Sequence, residues 1–222
     1  MKIWVVIPAF NEQGTLGVIL DELKEKSELI LVVDDGSTDN TSSVARQRGV
    51  RLIRNEQNYG KGVSLKKGIK YLLDNEEFDY ILTMDADRQH APAEIDKFLE
   101  QAKQSQYFVV GNRMANPEGM PMVRILTNKF MSWLISKIMQ QRIPDTQCGF
   151  RLIKREVLEN ISIETDNYQI ESEILIKAAR GGFSIKSIPV KSIYFQGAKS
   201  KINPVLDTFR FIRFLFALSD EK

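Results

Sequence analysis

The sequence predicts an α/β fold, a mostly parallel sheet flanked by helices, and three observations carry the prediction. Short apolar runs alternate with stretches of helical periodicity. The runs are apolar at successive positions, as in strands buried on both faces, and polar loops follow several of them directly. The first run, Lys2 to Pro8, carries Trp4, Val5, Val6 and Ile7 and ends at proline. Leu16, Ile19, Leu20 and Leu23 then recur at helical spacing before a second run, Leu29 to Val33. A helix over 40–48 leads to a strand over 51–54, and a helix over 61–73 to a strand over 80–84. A helix over 93–103 and a strand over 107–110 complete the regular part, and this βαβα order implies parallel strands joined by crossovers. Beyond it come a long helix over 122–139, a strand over 149–154 and a basic, apolar tail.

A chain of 222 residues can bury one substantial core, so one domain is expected. With 43% hydrophobic and 27% charged residues it is neither disordered nor collagen-like. A net charge of +2 excludes the strong basic field of a nucleic-acid binder, and no nucleic-acid partner is expected. The single cysteine, Cys148, allows no intramolecular disulfide, and no signal-peptide pattern opens the chain, so a cytoplasmic location is expected. No run reaches about 18 uncharged apolar residues, so no transmembrane helix is expected, which leaves open a position on a membrane surface.

In open parallel sheets ligands bind beyond the carboxyl ends of the strands, and three motifs fall there. Pro8-Ala9-Phe10-Asn11-Glu12 follows the first strand, Asp34-Asp35-Gly36-Ser37-Thr38-Asp39 the second, and Asp85-Ala86-Asp87 the fourth. Asp85 and Asp87, separated by a small residue at a strand end, can direct two hard oxygen donors at one Mg2+ or Mn2+ ion. A metal held there can bridge the phosphates of a nucleotide diphosphate and neutralise a departing leaving group. An isolated Asp-x-Asp also occurs as a plain loop or helix cap, and Thr38 or Asp39 can simply cap the next helix. Asp35 can accept hydrogen bonds from a base or ribose, and the loop Asn58-Tyr59-Gly60-Lys61-Gly62 can approach a ligand closely or serve only its turn.

Taken together, PAFNE, DDGSTDNT and MDADRQH resemble the motifs of the inverting family 2 glycosyltransferases, over nearly all of residues 1–201. The resemblance implies a GT-A fold, a nucleotide-diphospho-sugar donor, and an acceptor that is a polyprenyl phosphate or another lipid. It implies one glycosyltransferase domain over 1–201, with residues 202–222 as an amphipathic tail helix of the same unit. It would place Pro8, Ala9, Phe10, Glu12, Asp35, Lys61 and Asp85 around the nucleotide, and Asp85, Asp87 and Gln89 at the metal. Asp87, Gln89, Arg113 and Asp145 would serve catalysis, and Arg124, Arg151, Ser200 and Lys201 would face the acceptor. Without the resemblance, Arg113, Arg124 and Arg151 read as solvated surface residues.

A phosphate acceptor would also account for the absence of an evident nucleophile-base pair. His90 is the only histidine, and a phosphate monoester is already anionic and needs mainly cationic positioning. A hydroxyl acceptor would instead need a carboxylate base, with Asp145, Glu171 and Glu173 as candidates. A third possibility is a non-catalytic nucleotide-sugar-binding scaffold. The chain departs from the family pattern at Phe10, Asn40 and Cys148, and its segment Gln196 to Lys201 lacks the family's arginine. These departures bear on the acceptor side more than on the donor side.

In the helix over 122–139 the apolar residues Val123, Leu126, Phe130, Trp133, Leu134 and Ile138 recur opposite Arg124, Asn128 and Ser132. Such a face covers a core or lies at a lipid interface. The tail, with Phe209, Phe211, Phe214 and Phe216 among Arg210 and Arg213, suits the inner surface of a membrane or a homodimer seam.

Overall fold

The computed structural model of the protein describes residues 1–166 and 169–193. The first half forms β1 (Ile3–Ala9), α1 (Leu16–Lys24), β2 (Ile30–Asp34), α2 (Thr41–Gln47), β3 (Arg51–Arg54), α3 (Lys61–Asn75) and β4 (Tyr80–Thr83). Then come α4 (Ile95–Lys103), β5 (Phe108–Asn112), α5 (Met122–Met139), β6 (Arg151–Lys154), α6 (Arg155–Glu159), α7 (Ile170–Arg180) and β7 (Ile185–Pro189). The strands make one seven-stranded sheet in the order β3-β2-β1-β4-β6-β5-β7. β6 runs antiparallel between β4 and β5, and the other pairings are parallel.

β2 and β4 are buried throughout, and β1 from Trp4 onward, as their continuous apolar sequences require when helices cover both faces. β3 is an edge strand with a more polar sequence. Its Arg51 guanidinium lies 5.4 Å from the Trp4 ring and 5.8 Å from the Tyr71 ring, placing charge at that edge. α3 comes close to the sheet at Gly68, where a Cβ would sit 3.0 Å from the side chains of Val6 and Val33.

Several boundaries differ from expectation by one or two residues, and two of the differences have a local setting. The strand expected from 149 begins at Arg151, and just ahead of it the Gly149 carbonyl accepts a hydrogen bond from the Thr83 hydroxyl at 2.7 Å. The helix expected from 93 opens as a 3-10 turn at Pro92–Glu94 before α4.

The expected faces of α5 require correction. Val123, Leu126, Phe130 and Trp133 point outward and are 75, 62, 56 and 57% exposed, whereas Leu134 and Ile138 pack against the core. Asn128 and Ser132, which lie opposite those outward residues, are buried with Met131, Ile135 and Met139. The helix is apolar on both sides, so its periodicity does not mark the inner one. Ser132 is accommodated because its hydroxyl accepts the Thr146 N–H at 2.9 Å. No helix among the described residues is long and apolar enough to cross a membrane. The expected tail helix, with Ser200 and Lys201, lies outside the described residues.

Candidate active site

From β1 the chain winds to β2 and β3 on one side, then returns to β4 on the other, so the sheet has its switch point between β1 and β4. Pro8 and Ala9 end β1, and Phe10, Asn11 and Glu12 follow into the loop. Asn11 adopts a left-handed conformation, φ 55°. Its backbone N–H donates to the Ser37 hydroxyl at 2.9 Å and its side-chain oxygen accepts the Thr38 N–H at 2.9 Å. The Glu12 N–H donates to the Thr41 hydroxyl at 2.8 Å. The loops after β1 and β2 are thereby tied together. Thr15 adds a tie across the switch point, its hydroxyl lying 2.8 Å from a Glu12 carboxylate oxygen and 2.7 Å from the Ala86 carbonyl.

Asp34 and Asp35 separate in role. Asp34 is buried and accepts from the Ser37 N–H at 2.9 Å and from the Ser42 hydroxyl, holding its own loop. Asp39 accepts the Thr41 N–H at 2.9 Å, from the position ahead of the Asn40 N-cap of α2. Asp35, 3% exposed, reaches across to the next loop. Its Oδ1 accepts from Asn55 Nδ2 at 2.8 Å and the Tyr59 N–H at 3.0 Å, and its Oδ2 accepts the Gly60 N–H at 2.7 Å. Gly36 permits this approach: its φ is +71°, and a Cβ there would fall 2.4 Å from the Gln57 carbonyl carbon.

Asp35 thus fixes the residues that begin α3, whose first residue is Lys61. The Lys61 ammonium bridges Asp85 at 2.5 Å and Glu171 of α7 at 2.8 Å. Burial works against the Lys61 charge, but the two carboxylates outweigh it and raise the lysine above its ordinary value. Burial likewise opposes the ionisation of Asp85, and the Lys61 ammonium overcomes it and holds the carboxyl well below the usual range. Gly149 closes over this cluster, where a Cβ would lie 3.0 Å from Asp85 Oδ2 and 2.9 Å from Glu171 Oε1.

Asp87 accepts the Gln89 N–H at 2.9 Å in a tight turn with Arg88 at φ 61°. His90 is buried, accepts the Asp85 N–H on Nδ1 at 3.2 Å and stacks on Phe150 at 5.1 Å. Burial lowers its pKa, which with these contacts makes it a support for the loop. Two carboxylates and an amide oxygen within five residues are hard donors that fit Mg2+ or Mn2+. No group of three or more His, Cys, Asp or Glu that could hold a metal occurs among the described residues.

The second half corrects several sequence readings. Arg113 and Asp145 are buried, 5 and 0% exposed, and face each other: Nε to Oδ2 at 2.7 Å and the second pair at 2.9 Å. The Arg113 N–H adds a third bond to the same carboxylate at 3.0 Å. Asp145 is therefore the counter-ion of Arg113. Arg151, expected at an acceptor phosphate, is 2% exposed and donates to the carbonyls of Cys148 and Thr146 at 2.8 Å each and to that of Glu171. It organises the 146–151 loop from beneath. Neither Arg113 nor Arg151 is the solvated surface arginine that sequence alone suggests, while Arg124 is half-buried near the start of α5. Cys148 is buried beside Gly111 and 3.9 Å from His90.

Of the other two carboxylates considered as bases, Glu173 accepts the backbone N–H groups of Glu164 and Thr165, at 2.8 and 2.9 Å, and is committed to that loop. Glu171 alone stands beside Asp85 and Lys61. Thr15, Asn55 and the Lys61–Glu171 pairing escape sequence reasoning because they depend on contacts 71, 20 and 110 residues apart.

Comparison with known proteins gives concordant results. Residues 4–162 match the family model described as Glycosyl transferase family 2. The chain is 33% identical, over 95% of its length and 89% of the relative's, to an uncharacterized protein of Methanocaldococcus jannaschii. It is 29% identical to the UDP-N-acetylglucosamine–dolichyl-phosphate N-acetylglucosaminyltransferase of Methanococcus voltae, over 94% of this chain and 92% of that one. Among solved structures, glucosyl-3-phosphoglycerate synthase from Mycobacterium tuberculosis, in complex with Mn2+, uridine diphosphate and phosphoglyceric acid, superposes with a TM-score of 0.72 at 20% identity. That match covers 96% of this chain and 75% of the synthase, and it shows the fold.

Proposed function

Because the chain belongs to the family 2 glycosyltransferases, we propose that it transfers a sugar, with inversion, from a nucleotide diphosphate to a polyprenyl phosphate at the cytoplasmic surface of a membrane. The observation that carries the donor side is the cluster of Asp85, Lys61 and Glu171 at the switch point, tied to the loops after β1 and β2. In this reading Pro8, Ala9, Phe10, Glu12 and Asp35 surround the nucleoside, and Lys61 and Asp85 meet the diphosphate. Asp85, Asp87 and Gln89 would hold Mg2+ or Mn2+, which supplies charge neutralisation on the leaving group when bound.

The chain's own residues would do the rest. Glu12 and Asp35 orient the donor, Lys61 offsets phosphate charge, and Arg124 meets the incoming acceptor phosphate. Arg113 and Arg151 act from beneath as buried positive charges that hold the loops in place. An acceptor phosphate oxygen forms its bond to the anomeric carbon as the bond from that carbon to the nucleotide diphosphate breaks, and no proton need be removed. Two observations support a phosphate over a hydroxyl acceptor. Asp145 and Glu173, two of the three carboxylates that could act as bases, are engaged elsewhere, and the similar protein of Methanococcus voltae is named for a dolichyl phosphate. The outward apolar residues Val123, Leu126, Phe130 and Trp133 support a peripheral position on the lipid.

A second reading rests on Glu171, which remains at the site and could serve as base for a hydroxyl acceptor. Incubating the full chain and Mn2+ with a panel of nucleotide sugars and a short-chain polyprenyl phosphate tests both. The expected product is a glycosyl phosphodiester, and Asp87→Ala should abolish its formation. Full activity of Asp87→Ala in the presence of metal would sink the metal-assisted mechanism. A Glu171→Gln variant that fails only with hydroxyl acceptors would favour the second reading.

A further inference from the structure

A cavity lies away from the strand-end site. It has a volume of about 690 Å³ and is bounded by the second half of α5, the 140–144 turn and Met114. Trp133 and Ile143 give it apolar walls, while Lys129, Lys137 and Arg142 place three cations around it. No carboxylate lines it, and none of the three cations makes an ion pair among the described residues. Lys129, Trp133 and Lys137 are spaced at i, i+4 and i+8, so a pair of ammonium groups flanks one indole on a single face of α5. Trp133 also belongs to the outward apolar stripe with Leu126 and Phe130, its ring 6.1 Å from that of Phe130. The cavity therefore opens where the cationic and apolar parts of the same exposed helix face meet.

A free anion would satisfy the cations but not the stripe, and an apolar partner would bury three charges without compensation. A molecule with a phosphate next to hydrocarbon satisfies both. We infer that this cavity is a second, non-catalytic lipid site that takes the phosphate headgroup of an anionic membrane lipid, with Trp133 at the headgroup boundary. It shares no lining residue with the cluster of Lys61, Asp85 and Glu171. Its effect would be to seat α5 on anionic membrane in one orientation, with the apolar stripe in contact with the lipid.

The inference rests on the membrane-surface reading above, and the test separates the two. The full chain would be partitioned onto vesicles of phosphatidylcholine alone and of phosphatidylcholine mixed with phosphatidylglycerol, with nucleotide diphosphate binding as the control for folding. Lys129→Gln, Lys137→Gln and Arg142→Gln should each lower the partition coefficient on the anionic vesicles by roughly fivefold and leave neutral vesicles unaffected. Acyl chains brominated near the headgroup should quench Trp133, since Trp4, the other tryptophan, is 4% exposed. If the three replacements leave anionic partitioning unchanged, or if inorganic phosphate alone saturates the site and displaces the vesicles at equal phosphate, the headgroup assignment fails. Failure of the unmodified chain to bind either vesicle would sink the membrane-surface reading as well.

Discussion

Arg113 and Asp145 are joined by two parallel side-chain bonds, 2.7 and 2.9 Å long, and neither is exposed to solvent by more than 5%. The pair links the end of β5 to the loop before β6. Removing one partner leaves the other charge buried and unpaired, which costs more than the pair contributes. Asp145→Asn should lower the unfolding free energy by about 3–5 kcal/mol, measured by urea titration. Arg113→Met combined with Asp145→Leu should recover much of that loss. If Asp145→Asn kept full stability and lost only turnover, Asp145 would be acting as a base and the counter-ion assignment would be wrong.

Gly149→Ala probes the site directly. The added methyl group must enter the space between Asp85 and Glu171, at 3.0 and 2.9 Å, so those carboxylates have to shift. Donor affinity should fall at least tenfold in calorimetry, while the thermal midpoint moves by a few degrees. Unchanged affinity would show that the donor does not use this cluster.

Cys148 should be inert in the native state. Burial pushes its thiol up to about 12, and the group packs beside Gly111 and His90. A disulfide reagent at pH 8 should titrate no thiol in the folded protein and one after denaturation. Prompt native labelling would mean that the loop at 146–150 opens readily.

Glu173 sets part of the acid limit of stability. Burial favours its neutral form, but the Thr165 hydroxyl, the Glu164 and Thr165 amides and Lys177 together lower its pKa below the ordinary 4.5. A depressed folded value means the contribution is complete above pH 4.5 and is lost as pH falls through the lower, folded value. The urea midpoint of the unmodified protein should therefore drop as pH is taken from 6 to 3. Glu173→Gln should be less stable at pH 6 and show a shallower acid dependence; parallel curves would contradict the linkage.

Much of the fold was legible because buried parallel strands announce themselves by continuous apolar runs, as in Trp4 to Ile7 and Ile30 to Val33. The three loops could be placed for the same reason, since each follows such a run. What sequence could not reveal was which charged groups meet. The partners of Arg113 and Lys61 come from distant elements, and Arg151, which serves the backbone carbonyls of its own loop, has the same local sequence as an arginine that meets a phosphate. α5 failed differently. Met131, Ile135 and Met139 on one side and Leu126, Phe130 and Trp133 on the other give two apolar faces, and only tertiary packing, including Thr146 beside Ser132, distinguishes them.

The antiparallel strand β6 has a consequence for how such a protein can diversify. It lies between β4 and β5, so residues from the second half of the chain fill a slot in the middle of the sheet. A fragment ending after β5 would leave open the two strand edges that β6 pairs with, each a template for self-association. Exchanging the second half as a cassette is therefore constrained, because any replacement would have to carry its own strand in the same register.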